Sequence, residues 1–258
     1  MVFGNSRPST PDDFRQSDET IDDLRSFDLR ITQLKDGYRF SLDPLLLARF
    51  AGARDGDRVV DLGTGCGIIP FLLARRTTSG TLVGVERDPV MAELARRNAA
   101  LNGLDDRVTI VERDILELKG LLPSSGFDLV VANPPYRVPG TGRISPRAGR
   151  DTARHESTAG LADFLAVAKR LVAPAGRICM IYHPERLAEL FVAAAALKLA
   201  VTRLKTVHGT RDVDARMVLV EMVKGRKGAL ALLPPLLVYG DDGSYSAEMK
   251  CIMRGEAC

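Results

Sequence analysis

The chain has 258 residues, 45% of them hydrophobic, and a formal net charge of +3. That is enough for one large domain with a substantial core, with or without a small appendage. The four cysteines, Cys66, Cys179, Cys251 and Cys258, make no C-x-x-C pair and no zinc spacing with the three histidines. No apolar run spans a bilayer or follows a basic leader. A metal site, a membrane span and secretion are thereby set aside, and a cytosolic, reduced protein is expected.

Charge is unevenly spread. Residues 1–28 hold seven acids (Asp12, Asp13, Asp18, Glu19, Asp22, Asp23, Asp28) against Arg7, Arg15 and Arg25, a balance of −4 that leaves +7 on the remainder. A basic body is compatible with a nucleic-acid partner without demanding one.

In chain order, residues 1–18 are polar, carry Pro8 and Pro11 and lack periodicity, and read as a flexible acidic arm. Thr20 to Ser26 has a capping-box-like spacing, Thr20 to Asp23, that predicts a short helix. Phe27–Leu34 alternates apolar and polar residues as a strand does. Asp36-Gly37 is a hairpin signal, with Tyr38–Ser41 returning. Asp43-Pro44 then supplies an N-cap and first-turn proline for the apolar helix Leu45–Phe50. From Arg58 onward strands are expected near 58–62, 81–86, 108–113, 128–132, 176–182, 201–208 and 217–223. Helices are expected near 67–76, 89–101, 160–172 and 184–199, with Asp88-Pro89 starting the second and Asn102-Gly103 stopping it. Alternation of this kind predicts an α/β fold: a seven-stranded, mostly parallel sheet with helices on both faces and a small N-terminal hairpin. The last two strands leave no room for a helix between them, so one is expected to run antiparallel at the edge. Residues 225–258 read as a tail closing over that edge.

The segment VVDLGTGCGIIP (Val59–Pro70) organises the rest. A strand runs into Asp61, and Gly63, Gly65 and Gly67 follow at alternate positions before an apolar helix. Such glycines turn the chain sharply and let a ligand approach bare backbone. A dinucleotide fingerprint needs a small residue where Ile68 stands, and a phosphate loop needs Lys and Ser/Thr where Ile68 and Ile69 stand. The turn offers a phosphate no cation, and Asp61 adds a negative charge. A ligand with net positive charge fits, and S-adenosylmethionine (SAM) is one. Glu86 ends the next strand, nineteen residues after Gly67, where an acid accepts hydrogen bonds from ribose hydroxyls. Asp114, after the third strand, is placed to receive an adenine amino group. Arg87 and Ile115, beside these acids, are counted with the cofactor set.

In a doubly wound sheet the crevice lies at the carboxyl ends of the first and fourth strands. The fourth ends in Asn133-Pro134-Pro135-Tyr136. These residues suit methylation of an amino nitrogen conjugated to a carbonyl or an aromatic ring. Its delocalised lone pair is a poor nucleophile. The Asn133 side-chain oxygen and the Pro134 carbonyl can accept both N–H groups, turn the lone pair toward the methyl donor and stabilise the developing charge. Pro135 stiffens the turn and Tyr136 can stack on a planar base. Catalysis is then mainly positioning, and no catalytic histidine is required of His155, His183 or His208.

The D-x-G-x-G-x-G turn, Glu86 and NPPY together resemble the class I, Rossmann-like methyltransferases that act on exocyclic or amide nitrogens. The segments GYRFSLDPLLLARFA (Gly37–Ala51), ARHE (Ala153–Glu156), HPERL (His183–Leu187) and LPPLLVYGDDGSYS (Leu233–Ser246) narrow the likeness. They are similar to the bacterial tRNA adenine-N6 methyltransferases that modify adenine 37 of valine tRNA. The resemblance covers roughly residues 20–250 and several separated segments. It implies that Phe40, Ser41 and Asp43 lie against the methionine end of the cofactor. It further implies that Asp61, Gly63, Gly65 and Gly67 form its turn, that Glu86 is the ribose acid and Asp114 the adenine contact, and that Asn133 to Tyr136 carry the target base. On this reading residues 19–57 are a hairpin and helix packed on the core, and 58–258 the SAM-dependent methyltransferase domain. The enzyme is expected to be a cytoplasmic monomer that uses SAM and tRNA and needs neither metal nor membrane.

The loop after Tyr136 carries Arg137, Arg143, Arg147, Arg150 and Arg154 against only Asp151 and Glu156, and is expected to bind phosphates flanking the target. Arg203, Lys205, Arg211, Arg216, Lys224, Arg226 and Lys227 form a second, less telling basic group. Rival readings are a release-factor glutamine-N5 methyltransferase, a guanine-N2 rRNA methyltransferase and a DNA adenine methyltransferase. A nicotinamide-dependent oxidoreductase and a non-catalytic RNA-binding module stand further off. The release-factor enzymes carry a helical substrate domain ahead of the fold, where only about forty residues precede the cofactor-proximal segment here. The guanine-N2 enzymes share the site chemistry.

Overall fold

The computed structural model describes residues 16–36, 41–134, 159–225 and 229–256. It begins with β1 (Glu19–Leu24) and β2 (Leu29–Leu34), followed by α1 (Asp43–Ala51). Then come β3 (Val59–Leu62), α2 (Ile68–Arg76), β4 (Leu82–Glu86), α3 (Pro89–Leu101), β5 (Val108–Glu112) and β6 (Phe127–Ala132). The second half holds α4 (Leu161–Leu171), β7 (Val172–Tyr182), α5 (Leu187–Ala196), β8 (Leu199–His208) and β9 (Ala215–Lys224). Short strands β10 (Ala231–Leu232) and β11 (Leu236–Leu237) and helix α6 (Ala247–Met253) complete the described chain.

All four residues of β3 are buried, as a parallel strand covered on both faces requires. It pairs in parallel with β4 on one side and β6 on the other, with β5 beyond β4 and β7 beyond β6. The chain winds outward from β3 to β5 and returns to β6 on the opposite flank, so the switch point lies between β3 and β6. Alternate residues feed two cores. Val59, Leu129 and Val131 join α1, α2, α3 and α6, whereas Val60, Leu62, Val130 and Ala132 join α4 and α5.

Four expectations need correction. Residues 19–24 are a strand, not a helix: β1 pairs antiparallel with β2 from Glu19↔Leu34 to Leu24↔Leu29. The turn between them is Arg25–Phe27 with Asp28 left-handed at φ 51°, so the partner of β2 precedes it. Gly37 to Phe40, which hold the second residue of the expected Asp36-Gly37 turn and most of its return strand, lie outside the described residues. Asp43 is the first residue of α1 and Leu42 the N-cap; the Asp43 N–H donates to Ser41 Oγ at 3.2 Å. The antiparallel strand is β9, and it lies inside the sheet, between β7 and β8. Its centre, Met217–Val223, is buried throughout, which an edge position does not provide. The edge strand β8 is covered by β10 and β11, which pair with it in parallel. The C-terminal segment does close that edge, and α6 packs on α1. Cys66 and Cys179 are buried free thiols; Cys251 is disulfide-bonded, against the expectation of four reduced cysteines.

The strand form of residues 19–24 is decided seventy residues away, on α3. Asn98 Oδ1 accepts the Thr32 N–H at 2.8 Å and its Nδ2 donates to the Thr32 carbonyl at 3.0 Å. Asn102 does the same for Arg30, at 2.8 Å and 2.7 Å. Four helical residues rise about 6 Å and two strand residues about 6.6 Å. Side chains four apart on α3 therefore match residues two apart on β2, and satisfy its free edge as a third strand would. Glu19, only 1% exposed, accepts from the Arg97 guanidinium through both oxygens, at 2.9 Å on Oε2.

At the amino ends of the strands, charged groups anchor the C-terminus of α1. Arg203 Nη2 donates to the Phe50 carbonyl at 2.8 Å and Arg177 donates to the carbonyls of Ala51 and Gly52. Cations suit the negative end of a helix. Glu221 Oε2 stands 3.4 Å from Arg203 and 3.9 Å from Arg177, and Thr202 donates to its other oxygen. With Arg54, Asp57 and Asp128 these side chains line a polar cavity of about 510 Å³. Among the described residues, no helix is long and apolar enough to cross a membrane.

The hairpin joint sets a pH-dependent stability. Burial pushes the Glu19 carboxyl up, but hydrogen bonds from Arg97 and the Gln16 N–H and the Arg97 charge outweigh it and hold the carboxyl below its usual range. A depressed carboxyl contributes stability above its unfolded value, about 4.3, and loses it as pH falls through the folded value. Glu19→Gln is expected to cost about 2 kcal/mol at pH 7. Urea denaturation at pH 7 and pH 3 checks this; the gap from the parent protein should close at the lower pH.

Candidate functional site

The register of β3 and β6 brings the two halves of the site together. Asp61 pairs with Val131 and Leu62 with Ala132, so Gly63 and Asn133 leave adjacent strands side by side, where strands are spaced about 4.8 Å apart. Pro134 follows Asn133 and is buried. Pro135 and Tyr136 lie outside the described residues, as do Phe40, Arg137, Arg143, Arg147, Arg150 and Arg154.

The bend after β3 has φ of 79° at Gly63, 57° at Gly65 and 89° at Gly67. At Gly67 a Cβ would meet the Phe71 ring at 2.5 Å, so a side chain is excluded by space as well as by conformation. Backbone bonds fix the bend: the N–H groups of Gly63 and Thr64 both donate to the Val85 carbonyl at 2.9 Å, and the Gly67 N–H to the Thr64 carbonyl at 3.0 Å. Glu86, at the end of β4, reaches back. Its Oε2 accepts the Gly65 N–H and its Oε1 the Asp88 N–H, both at 2.9 Å. A carboxylate has about four acceptor positions, so two remain for a ligand's hydroxyls.

Asp61 differs. It is 0% exposed, and neither carboxylate oxygen has a hydrogen-bond partner among the described residues. The Thr64 hydroxyl is likewise buried without one. Burial pushes the Asp61 carboxyl up to about 7; the nearby Thr64 hydroxyl works against that shift and the Glu86 charge adds to it. A buried acceptor without a partner is costly, and a cationic ligand is what would remove the cost.

Asp114 follows β5 and is half-buried. Its Oδ1 accepts the Leu116 N–H at 2.9 Å and caps the single turn Ile115–Glu117. The Arg113 N–H donates to the Glu86 carbonyl at 2.9 Å, which joins the ends of β4 and β5. Two further members of the expected cofactor set flank these acids. Arg87 is exposed, and Ile115 packs into the core with Leu118 and Phe127. Ser41 and Asp43 stand at the start of α1, which packs on α2, the helix leaving the bend. The second basic group is partly spent inside the fold: Arg203 on Glu221 and Lys205 on Glu248. Among the described residues no cluster of His, Cys, Asp or Glu is placed to hold a metal.

Three residues at the bend escaped the sequence reading. Thr64 stands between two glycines, and only the bend brings its hydroxyl close to Asp61. The Phe164 ring from α4 lies 3.8 Å, and Met91 Cε from α3 3.9 Å, from where Cβ atoms on Gly63 and Gly65 would be. Nothing local to either sequence pointed to the bend.

A family model described as a methyltransferase domain matches residues 53–223. A Porphyromonas gingivalis protein named tRNA1(Val) (adenine(37)-N6)-methyltransferase is 34% identical over 81% of this chain and 85% of its own length. One of the same name from Aeromonas hydrophila is 30% identical over 79% of this chain and 84% of its own. Among solved structures, a predicted O-methyltransferase from Agrobacterium tumefaciens superposes with TM-score 0.70 at 23% identity, over 84% of this chain and 97% of that one. That likeness concerns the fold. With a SAM-type bend, an acid at each of three successive strand ends and relatives matched along most of its length, the chain belongs to the methyltransferase-domain family and, within it, to the tRNA1(Val) (adenine(37)-N6)-methyltransferases.

Proposed function

We propose that this chain methylates the N6 amino group of adenine 37 in valine tRNA, in the cytoplasm, with SAM as donor. The observation that carries the chemistry is the β3–β6 register, which sets Asn133 and Pro134 beside the glycine bend. The target is taken from the names of relatives that match most of the chain.

The bend suits SAM. It carries no cation, the Asp61 carboxylate lacks a partner among the described residues, and Glu86 keeps acceptor capacity. Asp61, Gly63, Gly65, Gly67, Glu86 and Asp114 would hold the cofactor, with Phe40, Ser41 and Asp43 toward its methionine end. Bound there, SAM supplies an electrophilic methyl group on a sulfonium. The chain's own contribution is placement. The Asn133 side-chain oxygen and the Pro134 carbonyl accept the two N–H bonds of the adenine amine, which turns its lone pair out of conjugation and disperses the charge that develops. Tyr136 stacks on the base, which must be drawn from the anticodon-loop stack. The alkylated amine loses its proton readily, so no strong base is needed.

Tritiated SAM with total tRNA from a strain lacking this protein should yield N6-methyladenosine at position 37 of valine tRNA. Asn133→Ala should bind SAM as the parent does and transfer at least a hundredfold more slowly, on the scale of one lost transition-state acceptor. Label in N2-methylguanosine of rRNA, or in a release factor, would sink the assignment.

Asp61 should link cofactor affinity to stability. A carboxyl raised to about 7 keeps its proton in the folded state while the unfolded one releases it near 3.9. Between those values the folded state binds more protons, so stability falls as pH rises and levels off above about 7. Asp61→Asn lacks this slope. Without SAM it should gain of order 2 kcal/mol on the parent between pH 5 and pH 8, while its SAM affinity drops tenfold or more. Chemical denaturation and calorimetric titration measure the two.

The arginines after Tyr136 are proposed to hold phosphates next to the target. Replacing Arg143, Arg147 and Arg150 together should weaken tRNA binding and flatten its dependence on salt, with SAM affinity unchanged. Unaltered tRNA affinity in filter binding across a salt series removes this role.

A further inference from the structure

We infer that Asn98, which also grips the N-terminal hairpin, is a positioning residue for the cofactor bend. The inference rests on the SAM reading above and adds a residue that reading does not contain.

Asn98 lies on α3 with 0% exposure. Its amide is used on both sides. Toward the hairpin, Oδ1 accepts the Thr32 N–H and one Nδ2 hydrogen goes to the Thr32 carbonyl. The other Nδ2 hydrogen goes to the Cys66 carbonyl at 3.1 Å. That carbonyl belongs to the peptide between Cys66 and Gly67, the last link of the bend before α2. The N–H of the same peptide donates to the Thr64 carbonyl at 3.0 Å. The peptide plane is thus pinned at both ends, one end by the bend itself and the other by Asn98. Glycines on both sides, Gly65 and Gly67, leave the backbone permissive there. A pin from outside therefore selects one orientation among several that the local sequence allows.

The alternative is that Asn98 only anchors the hairpin, and the molecule contains its own control for that. Asn102, one turn further along α3, grips Arg30 through the same pair of bonds. Its remaining bond goes to the Asn98 carbonyl, within the helix. Both asparagines hold β2, and only Asn98 touches the bend. An effect shared by the two is anchorage; an effect confined to Asn98 is positioning.

Asn98→Ala and Asn102→Ala are therefore compared with the parent for SAM affinity by calorimetric titration, and for steady-state kinetics on tRNA. Both variants should lose thermal stability. Asn98→Ala should bind SAM about tenfold more weakly, on the scale of one buried hydrogen bond. Its KM for SAM should rise in proportion, with kcat at saturating SAM and KM for tRNA within twofold of the parent. Asn102→Ala should bind SAM as the parent does. If Asn98→Ala does not fold, Asn98→Asp takes its place with the same readouts. It keeps the volume and the acceptor for the Thr32 N–H but turns an oxygen toward both the Thr32 and the Cys66 carbonyls. Equal SAM affinity in the Asn98 and Asn102 variants, with a parent that binds SAM, overturns the role of Asn98 alone. A parent with no SAM affinity overturns the cofactor reading and this inference together.

Discussion

The pairing of β3 with β6 is the constraint from which the rest follows. Side chains on a strand alternate between faces, so a slip of one residue exchanges every inward group for an outward one. Here both faces are core: Val60, Leu62, Val130 and Ala132 fill one, and Val59, Leu129 and Val131 the other. A slip of β6 would turn Val130 and Ala132 into the layer of Val59, and a slip of β3 would turn the carboxylate of Asp61 into the opposite one. The apolar packing of two segments some seventy residues apart therefore fixes where Asn133 emerges, to within one strand spacing of the glycine bend.

The two ends of the sheet treat polar groups in opposite ways. At the amino ends, charge is paired: Arg177 and Arg203 serve the last carbonyls of α1, and Glu221 lies between them with Thr202 as a further donor. At the carboxyl ends, Glu86 is half-used by backbone N–H groups, and Asp61 and Thr64 are buried with unmet bonding capacity among the described residues. Other buried polar atoms are unmet too, Arg203 Nε at the amino ends among them. Only at Asp61 are both oxygens of one carboxyl left so among the described residues, and such groups invite a ligand. One end is built to stay as it is, and the other to be completed.

Much of this was legible in the sequence. Apolar runs bounded by Gly, Asp-Pro and Asn-Gly located seven of the nine described strands of the main sheet and helices α1 to α5, because burial on both faces leaves a plain signature. The two-residue strands β10 and β11 and the helix α6 lie in what read only as a tail. The bend was legible because its glycines answer a steric demand, as Gly67 does against Phe71. The hairpin was not. Glu19–Leu24 is half acidic, and its extended form depends on Arg97, Asn98 and Asn102, which no local window contains. The place of β9 was written in its run Met217–Val223, broken only by Glu221 and more apolar than β8, but adjacency in sequence suggested an edge. Thr64 and Phe164 were missed for a different reason: their importance is purely spatial.

The asparagine pair on α3 has one more consequence. Asn98 and Asn102 address peptide groups of β2 and ignore its side chains. The joint is therefore indifferent to most spellings of the strand, proline apart, which has no N–H to offer. What it cannot tolerate is a change of count. One residue added between Arg30 and Thr32 would throw the two grips out of step with the helical turn that spaces them, so this part of the family's history should be rich in exchanges and poor in insertions.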